Sequence, residues 1–271
     1  MYLEELDLEV TRNCTLACEH CLRGEALNVN MSLETLENLF SSVNGIGTLL
    51  LTGGEPLIAV QALERMIEII KARDIKIGKI LLITNGTILS ERVIRILAEL
   101  KEIGNVFDLK VSANIFHMLE LERLGFVSKR NSNYKVLHAL FGAEEYAKDN
   151  PEYWESSLLV KSGRMATIRY ERLQEINRIA KTRYYTEDWY YNSQPETHIV
   201  EDCVSGVITV DVYGNLVSYG QEFIEEDREA IRLPLNINKM PFREAVEAFV
   251  KNDEEKRILA ARFDFTKVYK Y

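Results

Sequence analysis

The chain has 271 residues with 46% hydrophobic and 28% charged side chains, and its 42 acidic against 33 basic residues leave a formal net charge of −9. That acidic balance argues against a general nucleic-acid binder, although a local basic patch can coexist with it. No apolar run is long enough to span a bilayer and no targeting segment is evident, so the expectation is a cytoplasmic protein without membrane contact, long enough for one large α/β domain with a modest C-terminal extension.

In chain order, apolar strand-like runs are expected at residues 4–10, 48–51, 79–83 and 108–112. Between them Leu63, Met66, Ile67 and Ile70 fall at helical spacing, as do Val93, Ile96, Leu97, Leu100 and Ile103 behind a Ser90 N-cap. This alternation predicts a βα repeat with parallel strands. In such a sheet the strand C-termini face one side, and the polar, Gly-rich segments here follow those ends: the loop after strand one, Thr52-Gly53-Gly54-Glu55-Pro56, Thr84-Asn85-Gly86 and Ser112-Ala113-Asn114. Beyond Asn114 the pattern blurs. A fifth strand is expected near 157–161, ahead of Ser162-Gly163-Arg164, and 183–191 is dense in Tyr and Trp, which suits packing or a substrate pocket. Residues 207–212 and 216–219 flank Tyr213-Gly214-Asn215, a hairpin signal, and 242–263 reads as one or two amphipathic helices. The expected organisation is a barrel domain over 1–195 and a hairpin-and-helix cap over 196–271.

Three of the four cysteines, Cys14, Cys18 and Cys21, fall within eight residues after the first strand. Three soft thiolates at this spacing can hold three irons of a four-iron cluster and leave the fourth iron open to another ligand. A closed zinc site needs a fourth ligand, for which only His20 or the remote Cys203 stands ready, and a disulfide framework does not suit a chain of this size. Successive glycines at Gly53 and Gly54 let backbone approach a ligand, and Glu55 offers an acceptor for an ammonium group; the plain alternative is a turn with Pro56 opening the next helix.

Cys-x3-Cys-x2-Cys followed by Gly-Gly-Glu-Pro after the next strand resembles the radical S-adenosylmethionine (SAM) superfamily. The resemblance implies a partial (β/α)6 TIM-like barrel, a [4Fe–4S] cluster on Cys14, Cys18 and Cys21, and SAM chelating the open iron. It also implies reductive cleavage of SAM to a 5′-deoxyadenosyl radical that abstracts hydrogen from a substrate, with flavodoxin or ferredoxin as electron donor. Ser112 and Asn114 match the region where the family contacts the SAM ribose or carboxylate, with Thr84 and Asn85 on the adjacent strand end, and Gly163-Arg164 matches an element near the cofactor. His20 takes a position where many members place an aromatic residue against the adenine. The segment from Cys203 resembles the start of the cysteine-rich extension of peptide-modifying members, without its further cysteines. Cys203 is therefore expected as a buried small residue, its sharper alternative being a hydrogen-atom donor. A peptide substrate leads, with a small molecule open; alternatives are a glycyl-radical activating enzyme, nucleotide or tRNA modification, and a noncatalytic metal-binding module.

Overall fold

Six strands of this chain lie parallel in one twisted layer, and their order explains where the chemistry-bearing loops meet. The computed structural model describes residues 1–21, 23–146, 172, 175, 198–200, 202–217 and 235–251. Strands β1 (Tyr2–Glu9), β2 (Gly45–Thr52), β3 (Lys76–Thr84), β4 (Gly104–Ser112) and β5 (Glu144–Tyr146) pair successively and in parallel. Helices α1 (Leu33–Phe40), α2 (Val60–Arg73) and α3 (Glu91–Ile103) form the first crossovers, and α4 (Ile115–Arg123) and α5 (Val127–Phe141) together form the fourth. Leu6, Leu8, Leu49, Leu51, Ile80, Leu82, Leu109 and Val111 turn to the helices and meet Leu36, Leu63, Met66, Ile67, Ile96 and Leu97 in one core. Burial of this apolar face is the main force holding helices to sheet.

Local signals place the helix starts. Ser32 and Ser90 accept the N–H of Thr35 and Val93 at 3.0 and 3.2 Å, so both helices begin at their caps, as expected for Ser90. β1 begins two residues before its apolar run; β2, β3 and β4 begin three to four residues before theirs, because pairing continues through Gly45, Gly78 and Gly104, which have no side chain to show a periodic pattern.

The C-terminal part holds β6 (His198–Val200), β7 (Cys203–Val210), β8 (Leu216–Val217) and α6 (Phe242–Lys251). β7 and β8 make the expected antiparallel hairpin, with Val210 opposite Leu216. β7 also lies parallel along the free edge of β1, Cys203 opposite Tyr2 and Val210 opposite Leu8, so the strand order is β5-β4-β3-β2-β1-β7-β6. The expected cap strand is thus a sixth parallel strand of the barrel sheet. Among the described residues β5 and β6 end the sheet without pairing, which leaves the barrel open. Phe242, Ala245, Val246 and Phe249 of α6 join the same core.

The proposed boundary at 195/196, the strand expected at 157–161, Arg164, the aromatic run 183–191 and the tail beyond 251 lie outside the described residues. Cys203 is corrected: it is exposed, where a buried thiol was expected, because it opens β7 at the N-terminal rim of the sheet. No helix among the described residues is long and apolar enough to cross a membrane.

Candidate functional site

The cysteine loop leaves β1 and stays stitched to the segment that leaves β2. Val10 donates its N–H to the Thr52 carbonyl at 3.0 Å, Gly54 to Thr11 at 2.8 Å and Glu55 to Asn13 at 2.8 Å, so pairing outlasts both strands. A Cβ on Gly53, whose φ is +151°, would stand 2.5 Å from the Thr11 carbonyl oxygen, and one on Gly54 2.3 Å from that of Asn13. Both glycines are therefore required by the close passage of one chain segment against another. The approach they permit is to the cysteine loop.

Glu55 follows at the same mouth. It is fully buried; Oε1 accepts from the Thr84 hydroxyl at 2.7 Å and the Leu57 N–H at 3.1 Å, and Oε2 from the Asn85 N–H at 2.7 Å. The carboxylate braces the ends of β2 and β3. Burial raises its pKa to about 7 against the lowering effect of these donors.

Asn85 transmits that brace to the cysteines. Its Nδ2 donates to Thr15 Oγ1 at 3.0 Å, Thr15 and Thr87 hydroxyls meet at 2.6 Å, and Thr87 Oγ1 donates back to Asn85 Oδ1 at 2.7 Å, which closes a ring of three side chains. Cys14 Sγ sits beside it, 3.4 Å from the Leu16 N–H and 3.7 Å from Asn85 Nδ2. Burial pushes the Cys14 thiol up to about 11, and the neighbouring Glu55 and Cys21 add to the shift. A metal ion that binds here must replace the proton.

The other flank is built by α4. Asn114 caps it, its Oδ1 accepting from the His117 N–H at 3.1 Å and from His117 Nδ1 at 2.9 Å, while its Nδ2 stands 3.2 Å from His20 Nε2. His20 stacks on Phe116 with centroids 4.6 Å apart and meets His117 edge-on at 4.9 Å. Burial, then the positive charge of Arg130, lowers His117 to about 4. From the same helix Glu120 Oε1 accepts the Ala17 N–H at 3.0 Å, and Arg172 grips Glu19 at 2.6 and 3.0 Å. Glu9 secures the base of the loop: Arg23 Nε lies 2.8 Å from its Oε1, and Val212 donates to its Oε2 at 3.2 Å.

Cys14, Cys18, Cys21, Thr84, Asn85, Ser112 and Asn114 thus gather at the C-terminal mouth of the sheet. Cys203 does not join them, since the parallel register puts it at the opposite rim. Sequence reasoning missed Arg130, which is 1% exposed. Its Nη1 meets Glu145 at 2.6 Å, its Nη2 donates to the Ser112 carbonyl at 3.2 Å, and its Nε is buried without a hydrogen-bond partner. Beside Lys129, Arg130 reads as a solvated helix face. Glu120, also missed, left a signal: it stands one turn after Phe116, on the apolar side of α4.

Residues 8–140 match the family described as the Radical SAM superfamily. No curated protein sequence matches the chain. Among solved structures, native anSMEcpe with bound AdoMet and Cp18Cys peptide aligns at a TM-score of 0.52 and 16% identity, over 91% of this chain and 80% of the other. Streptococcus suis SuiB bound to precursor peptide SuiA aligns at 0.44 and 11% identity, over 83% of this chain and 61% of the other. The first likeness shows a shared fold.

Proposed function

We propose that this chain, which belongs to the radical SAM superfamily by its residues 8–140, is an enzyme that cleaves SAM reductively and passes the resulting radical to a peptide. The observation that carries this reading is the three-cysteine loop itself, held at the strand ends by the Asn85-Thr15-Thr87 ring and by Glu120. The residues fit the family's two cofactors. Three thiols supply a soft donor set for a [4Fe–4S] cluster, and the unpartnered Nε of Arg130 is a buried cationic donor suited to a carboxylate such as that of SAM.

In this reading Cys14, Cys18 and Cys21 hold the cluster, and Asn85, Ser112, Asn114 and Arg130 line the adjoining SAM site. Gly53 to Pro56 and Thr84 keep the cysteine loop in register and are proposed as further SAM contacts. Arg164, outside the described residues, stays a cofactor-binding proposal. When bound, the cofactors supply one-electron cleavage of SAM to methionine and a 5′-deoxyadenosyl radical that abstracts hydrogen from the substrate. The protein orients both cofactors and excludes water and oxygen. A flavodoxin or ferredoxin is the proposed reductant. A peptide substrate is supported by the hairpin resemblance at Cys203 and by the Cp18Cys peptide named with anSMEcpe.

The test is anaerobic reconstitution, reduction with dithionite in the presence of SAM, and chromatography for 5′-deoxyadenosine. Protein with a full four-iron complement forms it and Cys18→Ala does not; fully loaded protein that forms none overturns the proposal. With a deuterated peptide pool, deuterium in the 5′-deoxyadenosine supports the peptide reading, and its absence during active turnover of that pool refutes it.

A further inference from the structure

Cys18 stands between two constellations. It belongs in sequence with Cys14 and Cys21, but in space its Sγ and one ring nitrogen each of His20 and His117 lie within 4.8 Å of one another. We propose that in the cluster-free chain Cys18, His20 and His117 form a site for a single thiophilic divalent cation, with Zn²⁺ as the representative ion, and that this ion and the iron–sulfur cluster exclude each other because both require Cys18. The zinc-bound chain is then an off-state of the protein.

The chemistry of the donors supports this assignment. One thiolate and two imidazoles suit zinc, and water completes four-coordination. Cys18 and His20 are only 5% and 9% exposed and His117 is half-buried, so the site is largely shielded from solvent. Asn114 pre-sets the nearer imidazole: its Oδ1 already accepts the His117 backbone N–H, so at 2.9 Å it must accept from Nδ1–H as well. That fixes the tautomer with the Nε2 lone pair available to a metal, the usual carbonyl-backed arrangement of a ligating histidine. The stack on Phe116 and the edge contact with His117 hold the His20 ring in place. In a tetrahedral zinc site with Zn–N of ~2.0–2.1 Å and Zn–S of ~2.3 Å, ligand atoms stand about 3.4–3.6 Å apart. Rotation of the Cys18 side chain and small ring movements span the remaining difference. Binding converts the Cys18 thiol to a zinc-bound thiolate and releases one proton to solvent; no electron is transferred.

The test uses the full-length, iron-free chain under anaerobic conditions, without SAM, so it is independent of SAM cleavage. Co²⁺ serves as the spectroscopic probe and Zn²⁺ as its competitor. One equivalent of Co²⁺ is expected to give thiolate charge-transfer and tetrahedral d–d bands, which Zn²⁺ abolishes. His117→Ala and His20→Ala, each checked by circular dichroism, are expected to weaken Zn²⁺ by at least about tenfold. Cys14→Ser and Cys21→Ser are expected to leave it unchanged. Reconstitution of the zinc-loaded chain with iron and sulfide should release one zinc for each cluster formed. Binding that survives both histidine substitutions in folded protein, loss of binding in Cys14→Ser equal to that in Cys18→Ser, or a cluster that assembles while zinc is retained would each overturn the proposal.

Discussion

Burial holds the Glu55 carboxyl at about 7, against an ordinary 4.5, although three donors point at it. Between those values the folded chain retains a proton that the unfolded chain has already released. Its stability contribution is therefore greatest below the unfolded pKa and falls as pH rises through 7, by ~3 kcal/mol at about 1.4 kcal/mol per unit. Denaturant titrations of the cluster-free protein at pH 5 and 8 should show this decline, and Glu55→Gln should remove it; an identical slope in the variant refutes the assignment. Gly54→Ala drives a Cβ onto the Asn13 carbonyl. We expect a loss of ~1–3 kcal/mol in chemical denaturation and a lower iron content after reconstitution. The cysteines were legible in sequence because thiols at this spacing have few other uses. The brace Glu55 makes was not, since it depends on Thr84 at the end of the next strand and Asn85 just beyond it, which the local pattern does not connect to Glu55. Arg130 was hidden for a similar reason: a cation on a helix shows nothing of its partners Ser112 and Glu145 until the strands are assembled.

Helix caps separate stability from site geometry. Ser90 caps α3 by accepting the Val93 N–H, so Ser90→Ala should cost about 1 kcal/mol, or ~2–4 °C in Tm, with iron content unaltered. Asn114 caps α4 but also orients His20 and His117. Asn114→Ala should lose a similar amount of stability and in addition weaken SAM binding to the iron-loaded protein, as read by equilibrium dialysis; equal SAM affinity in the two variants would remove Asn114 from the proposed site. The first four strands and the helices α2 and α3 were legible because one face of each meets the core and shows its period. The hairpin was legible from Tyr213-Gly214-Asn215, but the placement of β7 was not. A turn signal identifies the antiparallel partner only and is silent on what occupies the strand's other edge.

Parallel order gives the molecule two chemically distinct ends: the cysteine loop at one, Cys203 at the other. In cluster-loaded protein Cys203 should be the thiol that reacts quickly with maleimide, and Cys203→Ser should form 5′-deoxyadenosine at the wild-type rate; a large drop would restore the hydrogen-donor role. The pairing of Cys203 with Tyr2 has a further consequence, which concerns synthesis. The edge of β1 waits for a strand made some two hundred residues later, roughly 10–40 s at ribosomal speeds of about 5–20 residues per second. Over that interval the nascent chain exposes an unpaired apolar edge beside its metal-binding loop, which makes chaperone demand and premature metal capture properties of its birth as well as of its folded state.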